Sequence, residues 1–545
     1  MIKADQWEPA DGLVLEPNAY KAAKEIKKSL ALTAGPGAGK TEMLAQRADF
    51  LLQTGTCFYP KRVLAISFKV DASKNLKERV QKRCGFELST RFDSYTFHGF
   101  AKRIIDRFRP ILTGYDELDR GYTIGDSRII KKQVTFSDLV PLAVEILEQS
   151  SIARNALRQT YSDVFLDEFQ DCTDQQYKLI KIAFWGTKIR MTAVGDTKQK
   201  IMGWAGAMEG IFKTFADDFD TLNLNLYMNF RSRPRLLQMQ NNIITVLDPE
   251  STMAKDLIIG EDGEIEHRTF QDSYEEAEYI SHLLKNWIDV EKIPLHEIAV
   301  LVSKQIDQYA FHLMNALEIL EIPFRNEQSL QDITNEPLVR LIVDYLSCYY
   351  SKREPKAWER LINQLEPYAN YENDNSIQTS FFDFLNKHRT DAFVDSAVSD
   401  WWEQANYFLR YLGDEAIISL SADYESTARR EELLLSLKNR IDEILKIEPN
   451  LPKALERFAT DQAVSILTIH KSKGLEFDSV IIMAVENEIF FGNPADERCA
   501  FFVGVSRAKS RLVLTSTEFR ERPAGYKRRW DEQRSIHEEF VSYVL

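Results

Sequence analysis

The chain has 545 residues, 44% of them hydrophobic and 28% charged, which is too long for one core and sets an expectation of about two to four domains. Its formal net charge of −14 excludes a protein that coats nucleic acid through bulk positive charge, and leaves open a local basic or aromatic track. No apolar run is long enough to span a membrane, Met1 to Gln6 lack the apolar core of a signal peptide, and Cys57, Cys84, Cys172, Cys348 and Cys499 form no CxxC pair or Cys/His cluster; reduced thiols in the cytoplasm are expected, with no zinc site.

In chain order, the first informative element is the octet Ala34, Gly35, Pro36, Gly37, Ala38, Gly39, Lys40, Thr41, entered from the apolar run Leu30 to Thr33. This is a phosphate-binding loop between a strand and a helix. Its glycines let successive backbone N–H groups converge on phosphate oxygens, and the following helix aims its positive end at the same place. Lys40 reaches the β- and γ-phosphates, and the Thr41 hydroxyl can ligate Mg²⁺. The cofactors expected are therefore ATP, or another nucleoside triphosphate, and Mg²⁺.

Val63 to Phe68 reads as a buried strand and Ala72 to Arg83 as a helix. Val164 to Leu166 and Met191 to Val194 read as two more short buried strands, each followed by acidic residues. Strands alternating with helices imply a parallel sheet with ligands at the strands' carboxyl ends. After Leu166 comes Asp167-Glu168-Phe169-Gln170-Asp171. Beside a phosphate loop, Asp167 suits Mg²⁺ binding and Glu168 suits the orientation of an attacking water.

A second αβ pattern starts near Gly263, with a helix over Glu275 to Ile288, a strand over Ile298 to Val302 and a helix over Tyr309 to Leu320. From about Pro337 to Phe458 the pattern is helical, with a polar, Asn-rich loop over Pro367 to Thr379. Buried strands return at Val464 to Thr468 and Val480 to Met483, so a helical insertion interrupts the second αβ unit. The basic stretches Lys21 to Lys28, Lys69 to Arg83, Arg91 to Arg109 and Lys527 to Arg529 read individually as solvated helix faces.

With Asp167 to Asp171 in view, the chain resembles the UvrD/Rep/PcrA group of superfamily 1 DNA helicases. The resembling segments run in family order: Ala65 to Ala72, Thr96 to Ala101, Val194 to Gln199 with Gly203 to Ala207, Leu226 to Ser232, Thr468 to Phe477, and Phe501 to Ala508. The resemblance implies an α/β fold of two RecA-like parallel-sheet domains, a P-loop NTPase core with helical insertions. It places the first RecA-like domain at 1–250, with a small helical insertion at about 100–150. The second lies at 251–335 and 460–545, around a reduced helical accessory insertion at 336–459.

ATP would bind between the two domains. The resemblance implies Arg231 and Arg507 at the γ-phosphate from opposite walls, where forked donors meet developing charge. It implies Gln199 as the γ-phosphate sensor, Phe230 as the adenine platform where the family usually has Tyr, and Glu476 at the ribose. It implies single-stranded or partly duplex DNA as partner, with Phe68 and Trp204 stacking on bases and Thr96, His98 and His470 meeting the strand backbone. The expected activity is an ATP-dependent 3′→5′ single-strand DNA translocase and helicase.

Several positions depart from the family. No adenine-recognising Gln stands just upstream of the phosphate loop; Asn18 lies at about the right spacing, and Gln6 is further out. Met202 and Ala205 replace a usual Tyr and Arg, and Lys200 sits where Ser is common. Cys499 occupies a usual Arg position, with Arg498 one residue early. The compact length and reduced insertion resemble the GajB-type helicase subunits of the Gabija anti-phage system, which implies a separate GajA-like nuclease partner. The competing expectation is an ATPase subunit that senses DNA or nucleotide and controls a nuclease with little unwinding of its own.

Overall fold

The computed structural model describes residues 2–68, 70–125, 127–199, 208–326, 333, 336–351, 354–365, 381–386, 401–418, 420, 424, 427–447, 449–459, 463–523, 525–527 and 529–544. The chain divides into two compact units: Met1–Phe97, Arg154–Ser329 and Gln462–Leu545 form one, and His98–Ala153 with Leu330–Asp461 form the other.

In chain order the earlier strands are β1 (Ser29–Ala34), β2 (Arg62–Ser67), β3 (Phe92–Thr96), β4 (Leu118–Ile124), β5 (Lys131–Val134), β6 (Tyr161–Leu166), β7 (Arg190–Gly195) and β8 (Thr221–Leu226). The later ones are β9 (Glu264–Asp272), β10 (Ile298–Val302), β11 (Phe324–Asn326), β12 (Val464–Thr468), β13 (Phe477–Met483) and β14 (Ala508–Phe519). The first unit holds two six-stranded sheets, ordered β3-β2-β6-β7-β1-β8 and β11-β12-β10-β13-β14-β9. Every pairing within them is parallel. The central strands read as continuous apolar runs because helices cover both faces. Leu30, Leu32, Val164, Phe165 and Val194 are buried in the first sheet, and Val300, Ile466, Ile481 and Leu514 in the second.

The strands expected from sequence all form, and β13 begins three residues earlier than Val480. The helix expected over Ala72 to Arg83 forms within a longer element, Val70–Ser89, which breaks at Gly85, just past the expected end, where φ is 81°. The helix expected over Tyr309 to Leu320 is two pieces, Ile306–Tyr309 and Phe311–Ile319, because Ala310 adopts φ −97°, ψ 9° between them. The loop expected over Pro367 to Thr379 lies outside the described residues. After β14 the chain folds back, and the buried Arg520 sits between Glu276 and Glu486, with nitrogen–oxygen distances of 2.8 Å to each. Burial opposes that charge, but the two carboxylates outweigh it and hold the guanidinium well above its ordinary value.

The second unit is mainly helical, with helices at Pro337–Tyr350, Pro355–Leu365, Trp401–Ile418, Thr427–Ile447 and Leu451–Ala459. Its core includes Tyr345 stacked on Phe408 at 4.1 Å between ring centroids. The stretch about 100–150 contains the strand pair β4 and β5 beside its helices, a feature that a helical reading leaves out. Leu118, Tyr122 and Ile124 are buried on β4 while Asp119, Arg120 and Gly121 are exposed.

Candidate functional site

The parallel order of the first sheet brings four chain segments to one edge. β1 lies between β7 and β8, and β6 lies beyond β7. The carboxyl ends of these strands therefore deliver the phosphate loop, Asp196, Asn229 to Arg231, and Asp167 to neighbouring positions.

The loop from Ala34 to Thr41 turns through Gly37 and Gly39, both left-handed with φ 68° and 74°. Gly39 caps helix α2 (Lys40–Gln53; α1 is Pro17–Lys24), which Met43 N opens by donating to Gly39 O at 2.8 Å. Gly37 has a second reason to be glycine. A Cβ there would collide with the Asn229 side chain and lie 2.6 Å from Arg231 Cβ. The segment after β8 is docked on the loop, with Phe230 N donating to Gly37 O at 2.9 Å. Asn229 Oδ1 accepts from Arg231 N at 2.8 Å and Ser232 N at 3.2 Å, which fixes the turn carrying Arg231. Phe230 leaves its ring 61% exposed above the loop, so its face is available to a planar group. Lys40 folds back onto its own loop, with Nζ 3.5 Å from Ala34 O.

The acidic pair follows β6. Burial pushes the Asp167 carboxyl up to about 7, the neighbouring Glu168 adds to the rise, and Lys40 opposes it. Glu168 adopts φ 49°, and its Oε2 accepts from Gln170 Nε2 at 2.7 Å. That hydrogen bond aims a carboxylate in a strained backbone position. Among the described residues no three His, Cys, Asp or Glu side chains converge as a metal cage. A buried carboxylate within reach of Lys40 of the phosphate loop fits Mg²⁺, which takes one or two protein oxygens and completes its shell with phosphate and water.

The second sheet supplies the facing groups. Arg507 is 1% exposed immediately before β14. Its Nη2 donates to Gln199 Oε1 at 3.1 Å, while Nε and Nη1 donate to Val503 O and Leu475 O at 2.9 and 3.0 Å. Burial, with Arg231 beside it, pushes this guanidinium down to about 9, so it keeps its charge at neutral pH. Arg231 Nε donates to Glu476 Oε2 at 2.8 Å, and Nη1 to Ser506 O at 3.2 Å. Lys473 Nζ donates to both oxygens of Asp171 at 2.8 Å and to Gln199 O at 2.9 Å. The two sheets are thus joined by charged side chains around the phosphate loop.

Residues 15–129 and 117–220 match the UvrD/REP helicase N-terminal domain. Residues 224–398 and 414–519 match the UvrD-like helicase C-terminal domain. The chain belongs to the UvrD-like helicase family. Among its relatives, the ATP-dependent DNA helicase PcrA of Leuconostoc citreum is 22% identical over 91% of this chain and 81% of its own length. The ATP-dependent DNA helicase Rep of Salmonella typhimurium is 22% identical over 92% of this chain and 90% of its own. A probable DNA helicase II homolog of Mycoplasma genitalium is 22% identical over 88% and 82% respectively.

In this UvrD-like helicase the remaining candidate residues are placed as follows. Asn18 lies in α1, and its Nδ2 donates to Asn225 O at the end of β8 at 2.7 Å. Phe68, at the end of β2, is half-buried and packs on Phe97 at 5.0 Å. Thr96 ends β3. His98 belongs to the second unit, where it packs on Phe136 at 4.0 Å, and burial pushes it down to about 4. His470 follows β12, and burial with Lys304 and Lys473 nearby lowers it. Trp204, Lys200, Met202 and Ala205 lie outside the described residues.

Sequence reasoning overlooked three participants. Lys473 and Asp171 stand in recognised segments, but nothing in their spacing announces a pair 302 residues apart. Glu16 is buried and accepts from Tyr227 N and Met228 N, the latter at 2.7 Å. Burial raises its carboxyl while these N–H donors pull it back. The only sequence signal was a carboxylate immediately before Pro17.

Proposed function

We propose that this chain is an ATP-dependent motor on single-stranded DNA, a translocase that unwinds duplex ahead of it. The observation that carries the proposal is the seating of Arg507 from the second sheet against Gln199 of the first, with Arg231 beside the phosphate loop. Hydrolysis then depends on the approach of the two sheets, which links chemistry to movement.

Lys40 and the backbone N–H groups of Gly35 and residues 37–41 would hold the β- and γ-phosphates, and Thr41 and Asp167 would hold Mg²⁺. When bound, the nucleotide and its cation supply the phosphoryl group and neutralise its charge. Glu168, braced by Gln170, orients the attacking water and accepts its proton. Arg231 and Arg507 meet the charge that develops on the phosphoryl oxygens. Arg231 must leave Glu476 to do so, and its departure frees Glu476 for the ribose. Phe230 offers its exposed face to the base, and Asn18 offers an amide oxygen. Phe68, Thr96, His98, Trp204 and His470 are assigned to the DNA strand. The 3′→5′ polarity and the domain limits at about 250, 335 and 460 follow from the family resemblance, and the cytoplasmic setting from the scattered, unpaired pattern of cysteines in the sequence.

A specific observation favours a second reading, a subunit that controls a GajA-like nuclease in anti-phage defence or repair. Arg498 is paired with Glu539 at 2.5 Å, so it is drawn away from the work of the arginine that Cys499 replaces. Strand displacement on a 3′-tailed duplex separates the readings. Unwinding that is abolished by Lys40→Ala supports the motor. DNA-stimulated hydrolysis without displacement, restored by a nuclease partner, supports the regulatory subunit. ATP turnover that survives Lys40→Ala contradicts both.

A further inference from the structure

Lys198 is a lysine only 4% exposed, and the site described above gives it no task. Its Nζ lies 3.1 Å from Asp196 Oδ1 and 3.8 Å from Asp248 Oδ2. An apolar side chain of the same length would fill this space without desolvating an ammonium. Its position therefore calls for an electrostatic reason.

Asp196 supplies one. It is fully buried, and its second oxygen, Oδ2, accepts from Gln199 Nε2 at 2.9 Å. An ionised carboxylate only accepts hydrogen bonds, so the glutamine must turn its NH₂ toward Asp196. Its amide oxygen is then the atom left facing Arg507, which donates to it at 3.1 Å. The opposite orientation would set NH₂ against a guanidinium, donor against donor. Lys198 holds Oδ1 of the same carboxylate twice, through its backbone N–H at 3.1 Å and its ammonium at 3.1 Å, and the ammonium adds the charge that keeps that oxygen from turning away. Its other partner, Asp248, caps the far end of the helix Pro234–Leu247, which begins three residues after Arg231.

We infer that Lys198 is a positioning residue: through Asp196 it fixes which way round the Gln199 amide lies, and so whether Arg507 finds its seat. This rests on the reading of Gln199 and Arg507 as γ-phosphate-facing groups. It predicts a defect in turnover rather than in nucleotide affinity.

The experiment is a set of variants assayed for ATP hydrolysis at saturating oligothymidylate. Lys198→Met should lower kcat about tenfold, as loss of an outer-shell support does, with KM for ATP within about threefold. Lys198→Arg, which keeps the cation, should restore most of kcat. In a Gln199→Ala background Lys198→Met should change kcat by less than about twofold, because the two residues act as one unit. If Lys198→Met does not fold, as judged by its melting temperature, Lys198→Gln replaces it in the same cycle. Full kcat in the neutral variant, or losses that multiply independently in the double variant, would overturn the inference while leaving the motor reading intact. A wild-type chain without DNA-stimulated turnover would overturn both.

Discussion

Lys473 donates to both carboxylate oxygens of Asp171 at 2.8 Å, although the two lie 302 residues apart in the chain. Asp171 follows the acidic pair of the first sheet, and Lys473 belongs to the loop after β12 of the second. The pair is largely out of water, with side-chain exposures of 10% and 13%. It ties a segment that follows β6 to one that follows β12.

Removing that lysine should therefore be costly. Breaking a buried ion pair by deleting one partner costs about 3–5 kcal/mol, and slight exposure places this pair near the lower end. Lys473→Ala should lower the first denaturant midpoint of the chain and make the link between the sheets protease-sensitive. An unchanged midpoint would mean that Asp171 finds another partner at no cost.

Asp167 gives a pH dependence of definite sign. Its folded-state carboxyl is pushed up to about 7, above the ordinary value of 3.8. Without a cation the folded protein therefore holds the proton more tightly than the unfolded chain. Stability falls as pH rises through that window. Mg²⁺ bound at the proposed site would compete with that proton. The Mg²⁺ concentration needed for half-maximal hydrolysis should rise about tenfold per unit as pH falls below about 7. A Mg²⁺ requirement that stays flat between pH 6 and 8 would remove Asp167 from the cation site.

Phe68 stands half-buried at the carboxyl end of β2, packed on Phe97 on one side. If its other face carries a base, Phe68→Ala should weaken single-strand binding by about 1–3 kcal/mol. Fluorescence anisotropy at one fixed salt concentration measures this, because phosphate contacts vary with salt. An unchanged dissociation constant would assign Phe68 to packing alone.

Much of the first sheet was legible because its strands are short apolar runs that end in chemistry-bearing residues. Leu30 to Thr33 leading into the phosphate loop, and Val164 to Leu166 leading into Asp167, are patterns that local sequence carries in full. The arginines became legible only through their segments, since an isolated Arg231 or Arg507 looks like any surface arginine. The pairings around them were not legible. Lys473 with Asp171, Arg231 with Glu476 and Glu16 with the β8 turn depend on how two sheets close, a non-local property that spacing does not encode. The break at Ala310 was missed for a different reason: apolar residues continue across it while the backbone leaves the helical region.

Arg507, from the second sheet, is seated against Gln199 of the first. The most direct test is Arg507→Ala, with nucleotide affinity and single-strand-stimulated hydrolysis measured on the same preparation. Removing an arginine that acts on the transferring phosphoryl group costs about 10³-fold or more in kcat, while affinity for ATP should stay within a few-fold. Hydrolysis close to wild type at unchanged affinity would contradict the account, because the cleft would then work without its second wall.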